Sequence, residues 1–232
     1  MVAVPDFTLA DGSPSPVGKH FAELVAVCIL RHAKNIPIAK RESFISGFGS
    51  RGPTTADLDS QETRNKLSSV LQVDFVVVGA VDLSASTYTV HMSARRSSDG
   101  SSLIEQTVTM NRTPFTDSLS EPFPPPTDYK VFRATGPNGE VYKERMPTCI
   151  YCPQPSYNDL ARSQKIQGTA LFDILVSTAG RAVAVHPNKL LGYGLDEQAF
   201  NAILNWRFSP GVDTDGKPIA VAVRIEVTFQ LY

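Results

Sequence analysis

The chain has 232 residues, enough for one large domain or two small ones, each with its own hydrophobic core. Its 22 Lys and Arg residues balance 23 Asp and Glu residues, so the overall charge gives no reason to expect nucleic acid or an anionic membrane as a partner. No apolar run reaches the roughly 18 residues of a transmembrane helix, and the first residues lack the regions of a secretion signal. We therefore expect a soluble chain without membrane insertion, or an ectodomain whose signal or anchor was removed.

The first part of the chain alternates between helix and strand patterns. Apolar residues at helical spacing follow Pro16 and include Phe21 and Cys28, so Cys28 is predicted on the buried stripe of this helix. Elements are predicted at 2–7 (strand), 16–32 (helix), 36–43 (strand), 56–71 (helix), 73–83 (strand), 86–98 (strand) and 103–110 (strand). Residues 1–112 are thus predicted to form a domain of order βαβαβββ.

A segment rich in proline and serine follows, and it has no hydrophobic periodicity. This composition is typical of a linker stiffened by polyproline conformation. Two short alternating runs then flank the turn residues Gly136 to Gly139, which predicts a β-hairpin over 129–144. Residues 113–146 are therefore predicted to join two domains.

The last part, 147–232, has the most regular pattern and predicts the order αββαβ. A helix is predicted over 156–165, and a strand over 168–177 that points Ala170, Phe172, Ile174 and Val176 to one side. A return strand follows the turn at Gly180, and a second helix begins after Gly194. The final strand alternates without interruption over 219–231. At about 3.3 Å per residue it would reach roughly 40 Å, which predicts that it projects beyond its partner strands.

The spacing of residues in this last part resembles the TonB C-terminal domain. The family pattern has a P-x-Y start, a short helix ending in an Ala-Arg pair, glycines around the first hairpin, a Gly-Leu-Asp helix start and W-x-F-x-P before the final strand. The matching residues are Pro155, Tyr157, Ala161, Arg162, Gly168, Gly180, Gly194, Leu195, Asp196, Trp206, Phe208, Pro210, Gly216 and Pro218. The sequence differs in having Asn158 where the family commonly has proline. It also lacks the membrane helix and the long Pro-rich spacer of the bridging TonB protein.

The resemblance implies an α+β fold and a role in protein docking. An extended peptide or strand from an envelope protein, such as an outer-membrane receptor, would add to the edge of the final strand. The polar face of that strand carries Arg224, Glu226, Thr228 and Gln230. Two alternatives stay open, namely pairing of this strand with its own copy in a homodimer and capping by the 129–144 hairpin. The motif residues themselves are expected to be mainly structural.

Cys149 and Cys152 form a CxxC pair that has three chemical interpretations. A zinc site needs about four ligands, and the four histidines are scattered without ligand spacing. A thiol-disulfide oxidoreductase would place the pair at the start of a helix, whereas prolines follow Cys152 here. A local disulfide in an oxidising compartment is favoured, with two free thiols as the next alternative.

The sequence also lacks the phosphate-loop, dinucleotide-binding, metalloprotease and nucleophile-elbow motifs. We therefore expect no enzyme activity, no cofactor and no metal.

Residues 1–112 show a second resemblance, to the amino-terminal domain of TolB and related periplasmic proteins. It depends on the opening strand, the helix after Pro16, the strand at 36–43 and the apolar strand at 73–83. Together the two resemblances imply a protein of the periplasm or cell envelope with two small α/β sandwich domains. Its expected role is to recognise another envelope protein, and thereby to take part in TonB-dependent transport.

Overall fold

The computed structural model describes residues 1–33, 35–39, 48, 53–54, 56–125, 129–131 and 145–231. It confirms the predicted α+β class. The chain divides into two compact units, Met1–Thr116 and Asp117–Tyr232, which are described separately below. In the described part of the chain, no helix has both the length and the apolar character needed to cross a membrane.

The first unit is built on one sheet of five strands. The strands are β1 (Val2–Ala3), β2 (Thr8–Leu9), β3 (Phe75–Leu83), β4 (Thr87–Arg96) and β5 (Ser102–Asn111). Their order is β1-β3-β4-β5, and β2 also pairs with β3. Its helices are α1 (Pro16–His32) and α2 (Gln61–Asn65), with a 3₁₀ turn at Ala56–Asp59 and a π-helical turn at Lys66–Val70 around α2. A third helix, α3 (Pro114–Ser120), begins in this unit and continues past its last residue, Thr116.

Several of the predicted elements differ in this part of the chain. The opening strand is divided into β1 and β2, and the predicted 36–43 strand is represented in the described residues by a bridge between Ile38 and Val2. Residues 40–43 lie outside the described residues. The stretch from Thr113 was predicted to be a linker, but α3 forms there with Phe115 and Leu119 buried.

Helix α1 begins where the sequence provides a cap. Ser15 Oγ accepts a hydrogen bond from Gly18 N at 3.0 Å, and Pro16 occupies the first turn. The buried residues of α1 all lie in its first half, between Val17 and Ala22. The prediction that Cys28 is buried was therefore wrong: Cys28 is exposed, because the described residues of the unit cover the second half of the helix only in part.

Both faces of the sheet carry buried side chains. On one face, Val76 and Val78 pack with Leu58 and Leu67 from the 56–70 region. On the other face, the buried Tyr88 contacts Phe21 of α1 edge to face and donates a hydrogen bond to Thr116 O at 3.1 Å. Residues on opposite faces of one sheet thus hold α1 and the second helical region in place.

The second unit contains a four-stranded sheet and two short strand pairs. Its strands are β6 (Lys130–Val131), β7 (Thr148–Tyr151), β8 (Gly168–Val176), β9 (Ala182–Lys189), β10 (Arg207–Ser209), β11 (Gly211–Val212), β12 (Pro218–Ile219) and β13 (Val221–Phe229). The main sheet has the order β6-β13-β8-β9, while β7 pairs with β10 and β11 with β12. The helices are α4 (Asp159–Ser163) and α5 (Leu195–Asn205).

The final strand is shorter than predicted. Ile219 belongs to β12, whose partner is β11, and β13 starts only at Val221. All nine residues of β13 pair with the nine residues of β8, so the prediction that the last strand projects beyond its partner was wrong. Most of the predicted hairpin, residues 132–144, lies outside the described residues.

Candidate functional site

The candidate site is the outer edge of β13. One side of this strand is paired with β8 along its full length. On the other side, the described residues of β6 run parallel and pair with Val221 and Ala222. Among the residues that the structure describes, no strand covers the outer side of 223–229. Because backbone groups of a strand alternate between its two sides, half of the N–H and C=O groups of 223–229 point outward, and within the described ranges no strand pairs with them.

The side chains of β13 alternate between a polar and an apolar face, as the sequence predicted. Arg224, Glu226 and Thr228 are exposed, and so is Gln230 just after the strand, whereas Val227 and Phe229 are buried. On the buried side, Phe229 meets the ring of Tyr157 edge to face at 5.6 Å. In a strand added to this edge, alternate side chains would therefore point to the apolar face of the sheet, with Val227 and Phe229, and to its polar face, with Glu226.

An ion pair fixes one residue of the polar face. Arg224 Nε and one terminal nitrogen donate to the two carboxylate oxygens of Asp173 on β8, at 2.7 and 3.0 Å. Asn188 on β9 donates to the same carboxylate at 3.1 Å. The hydrogen bond from Arg224 is the main cause that lowers the pKa of Asp173 below 3.8, and the pKa of Arg224 is raised in return. Arg224 is thus held across the sheet surface by a bidentate contact.

The other polar side chains of the strand are held differently. Thr228 Oγ1 lies 3.0 Å from Thr169 Oγ1 on β8. The side chain of Glu226 has no hydrogen-bond or ion-pair partner among the described residues. Its carboxylate is the charged group on this face of β13 that remains available to an incoming strand.

The motif residues around the sheet make structural contacts. Trp206 Nε1 donates to Pro153 O at 2.9 Å, and the Tyr157 hydroxyl donates to Ile166 O. The Asp196 carboxylate is buried and accepts hydrogen bonds from Leu191 N and Gly192 N. These contacts join the segments that precede and follow the two helices.

The remaining motif residues lie at turns and element ends. Ala161 is fully buried in α4, and Arg162 follows it with an exposed side chain near Asp159. Gly168 starts β8, Gly194 caps α5 and Leu195 is its first, fully buried residue. Phe208, Pro210, Gly216 and Pro218 lie in or beside the β10, β11 and β12 strands.

Asn158, which departs from the family pattern, has a role that the sequence interpretation missed. Its Oδ1 accepts a hydrogen bond from Ala161 N at 2.8 Å and so caps α4. Its Nδ2 donates to Tyr193 O at 2.6 Å, just before α5. The signal in the sequence was an asparagine directly before a short helical pattern, which is typical of an N-cap.

The cysteine pair is a disulfide on the surface of the second unit. Cys149 and Cys152 are joined with their Cα atoms 6.0 Å apart. Cys149 lies in β7, which pairs with β10, and α4 does not begin until Asp159. The pair therefore does not open a helix, the location expected for a thiol-disulfide catalyst. Within the described ranges, no group of three or more His, Cys, Asp or Glu residues is arranged to hold a metal ion.

The chain ahead of β6 lies against the same sheet. The ring of Phe123 is 6.5 Å from His186 on β9 and 6.1 Å from Tyr129. The Tyr129 hydroxyl donates to Pro124 O. These contacts lead the chain to β6, where it pairs with Val221 and Ala222 of β13.

Comparisons with solved structures give low overall similarity. The crystal structure of lipoprotein GNA1162 from Neisseria meningitidis has a TM-score of 0.34 at 15% identity, covering 48% of this chain and 78% of that one. The solution structure of the Pseudomonas aeruginosa TonB CTD has a TM-score of 0.30 at 19% identity, covering 37% and 89%. The LpoB C-terminal domain from Salmonella enterica has a TM-score of 0.35 at 11% identity, covering 48% and 81%.

Sequence comparisons match most of the second unit to a known protein family. The family model described as "Gram-negative bacterial TonB protein C-terminal" matches residues 153–231. Protein TonB of Vibrio cholerae serotype O1 is 34% identical over 79 residues, which are 34% of this chain and 32% of the relative. The matched part thus spans about a third of the relative's length. The matched segment contains α4, α5 and the β8, β9 and β13 strands of the main sheet, and residues 153–231 of this chain belong to the TonB C-terminal domain family.

Proposed function

We propose that this chain is a docking protein of the periplasm or cell envelope, and that it binds a partner protein by adding a strand to the outer edge of β13. The observation that carries the proposal is the difference between the two sides of β13. Its inner side is paired over nine residues, whereas its outer side is paired, among the residues that the structure describes, at Val221 and Ala222. Strand addition to such an edge obtains affinity from main-chain hydrogen bonds and selectivity from alternate side chains.

The exposed edge defines the chemistry of the partner. Each residue of an added strand lies opposite one residue of β13. The segment 223–229 therefore accommodates an extended stretch of about seven residues. Its side chains would alternate between apolar residues on the side of Val227 and polar residues on the side of Glu226. A basic residue opposite Glu226 would form a cross-strand ion pair, while Arg224 keeps its partner Asp173. A segment of an outer-membrane receptor or another envelope protein with this pattern is the proposed ligand.

Family membership supports the non-enzymatic part of this proposal. The TonB family is a protein-interaction family of the envelope, and the V. cholerae relative that matches this segment is a TonB protein. Because the match covers about a third of that relative, a part in TonB-dependent transport is proposed for this chain on the basis of its docking domain alone. The proposed domains at 1–112 and 147–232, separated in sequence by the segment 113–146, would then combine a TolB-like module and the docking domain in one chain.

A pair of variants at one position tests strand addition. The full chain, Glu226→Pro and Glu226→Ala are immobilised and exposed to envelope extract, and captured proteins are identified by mass spectrometry. Proline removes a backbone donor, whereas alanine removes only the carboxylate. We expect the parent and Glu226→Ala to capture the same partner, more weakly for alanine, and a folded Glu226→Pro to lose it.

Two results would contradict the proposal. Capture that is equal in all three proteins would place the binding surface elsewhere. If no protein is captured and the parent forms dimers that Glu226→Pro abolishes, the β13 edge is a homodimer interface instead.

A further inference from the structure

A second open edge lies in the first unit, on β5. This strand pairs with β4 on one side and is the last strand in the order β1-β3-β4-β5. In the parts of the chain that the structure describes, no strand pairs with its other side. Residues 102–109 are all exposed. At ten residues, β5 is as long as β4, the strand that pairs with it.

The composition of β5 is unusual for an edge that faces water. Its sequence SLIEQTVTMN has one charged residue, Glu105, and contains neither lysine nor proline. The side chains of Leu103, Ile104 and Val108 are 47%, 58% and 38% exposed. Natural edge strands are usually protected by lysine, proline, bulges or short length. A register shift at Leu103 is one such device in β5, but the strand has no lysine or proline and is ten residues long, so its edge is suited to pairing with another strand.

An apolar groove continues from this edge toward α1. It has a volume of about 180 Å³, and Val108 and Met110 of β5 form part of its floor. Leu24 and Cys28 line it from the side of α1. The register places Ile104, Gln106 and Val108 opposite Ala94, Met92 and Val90, so these three β5 residues share the face of the sheet on which the groove lies. The exposed apolar surface therefore runs continuously from the helix to the strand edge.

We propose that a second copy of this chain covers the edge, with the two β5 strands pairing antiparallel about a twofold axis at Gln106. In an antiparallel pair, directly opposed residues lie on the same face of the sheet. This axis places Ile104 opposite Val108 of the partner subunit, and does so twice by symmetry. Two exposed apolar residues thereby cover each other, and Gln106 meets its own copy across the axis.

The distribution of charge favours this twofold register. Asp99 lies in the turn before β5 and Arg112 directly follows β5, so opposite charges stand at the two ends of the edge. Antiparallel pairing about Gln106 brings the end of β5 that carries Arg112 toward the end that carries Asp99 of the partner subunit; within one chain, Asp99 lies 3.5 Å from Arg96 and Arg112 donates to Ser84 O at 3.3 Å. In the same register, Glu105 lies opposite Thr107 of the partner subunit. An axis at Glu105 would instead place two carboxylates face to face, which is destabilising.

This interface differs from the proposed docking site in both strand and unit. The dimer would unite the two five-stranded sheets and place both α1 helices on the same face. The β13 edge of each copy would remain open, so that one dimer would present two docking edges. A partner with two matching segments would then bind the dimer with a higher apparent affinity, because the first contact raises the effective concentration for the second.

Cysteine cross-linking of the full chain tests the register. In a Cys28→Ser background, Gln106→Cys places two thiols opposite each other across the axis. The control variants Glu105→Cys and Thr107→Cys place each thiol on the other face of the sheet, one position from the axis, where it does not lie opposite its own copy. We expect Gln106→Cys to give a covalent dimer under mild oxidation, with little dimer from the two controls. Sedimentation of the parent should show a concentration-dependent dimer mass. A monomer at every concentration, or a cross-link that forms as readily at position 105 or 107, would overturn the proposal.

Charge substitutions provide a second test that does not depend on thiols. Ile104→Lys places a lysine opposite Val108 of the partner subunit, and Val108→Glu places a glutamate opposite Ile104 of the partner subunit. We expect each single variant to raise the dimer dissociation constant about tenfold or more, and the double variant Ile104→Lys/Val108→Glu to recover most of the loss through two cross-strand ion pairs.

Measuring dimer mass and partner capture in the same variants distinguishes the β5 dimer from the proposed docking site on β13. Glu226→Pro should leave the dimer mass unchanged, and Ile104→Lys, at a half-exposed side chain, should leave partner capture through β13 in place. If the folded double variant dimerises no better than the single variants, Ile104 and Val108 do not face each other and the proposed pairing is wrong. If the parent remains monomeric but captures an unrelated strand through β5, the second-copy proposal is likewise overturned.

Discussion

Gly180 is a single residue on which the turn between β8 and β9 depends. Its φ is +70°, and a Cβ atom there would lie 2.0 Å from Phe208 O, while Phe208 N donates to Gly180 O at 3.0 Å. Gly216 has a similar φ of +81°, but a Cβ there would meet nothing within 4 Å. We expect Gly180→Ala to lower the unfolding free energy of the second unit by about 3 kcal/mol or more, and Gly216→Ala by about 1 kcal/mol. Urea denaturation of both variants measures the difference; equal losses would show that backbone strain alone is responsible.

The ion pair between Arg224 and Asp173 predicts a small dependence of stability on pH. The pKa of Asp173 is lowered from 3.8, mainly by the hydrogen bond from Arg224. The stabilisation is therefore complete above the unfolded pKa and is lost as the pH falls through the lower folded pKa. Because the Arg224 side chain is 55% exposed, solvent screening keeps the effect below about 1 kcal/mol. We expect Arg224→Gln to be slightly less stable than the parent at neutral pH and to approach it as the pH falls below about 4. An unchanged difference at both pH values would contradict this account.

At the scale of elements, the partly buried side chain of His20 lies between α1 and α3. The ring of His20 lies 5.2 Å from Phe115 and 5.6 Å from Phe21. Burial lowers the pKa of His20 from 6.5 to about 4. The unfolded state thus binds more protons between these two values, so the stabilisation is complete above the unfolded pKa and falls as the pH falls toward 4.

A matched pair of histidine variants tests this contact. We expect the parent to lose up to about 3 kcal/mol of unfolding free energy between pH 6.5 and 4, and His20→Gln to lack that slope. His32 is exposed in the last turn of the same helix, so His32→Gln should retain it. Urea denaturation across this pH range provides the measurement, and a slope that survives in His20→Gln would assign it to other groups.

The disulfide stabilises the contact between β7 and β10. Cys149 and Cys152 enclose a short loop, and Cys149 pairs with Phe208 of β10. Because a short loop restricts the unfolded chain only slightly, we expect Cys149→Ser/Cys152→Ser to lower the unfolding free energy by about 2 kcal/mol or less. Partner capture through β13 should persist. Loss of capture in a folded double variant would show that the disulfide takes part in binding.

Sequence periodicity predicted which residues of a strand or helix face the core better than it predicted where each element begins and ends. The inward residues of β8 were correctly identified because alternation is a property of the strand itself. The same alternation continues through Ile219 to Val221, so it could not show that β12 leaves the sheet to pair with β11. Helical spacing likewise located the face of Cys28, but it carries no information on how far the rest of the unit covers α1. The polar face of the candidate edge was readable from the sequence, whereas its partial cover by β6 depends on a contact across about 90 residues of chain.

At the scale of the whole molecule, the two units predict two unfolding transitions. Each unit has its own buried residues, with Phe21, Val76 and Tyr88 in the first and Phe172, Ile174 and Ile203 in the second. Units with separate cores can unfold separately. We therefore expect calorimetry of the full chain to resolve two transitions and the variants above to assign them.

The assignment follows from where each variant acts. His20→Gln should alter only the pH dependence of the first unit's transition, and Gly180→Ala should lower only the second unit's melting temperature. Ile104→Lys, by weakening the proposed dimer, should remove the concentration dependence of the first transition alone. A single transition that all three variants shift would show that the two units unfold as one. The docking edge and the dimer edge would then share one stability, and a partner bound at β13 would stabilise β5 pairing as well.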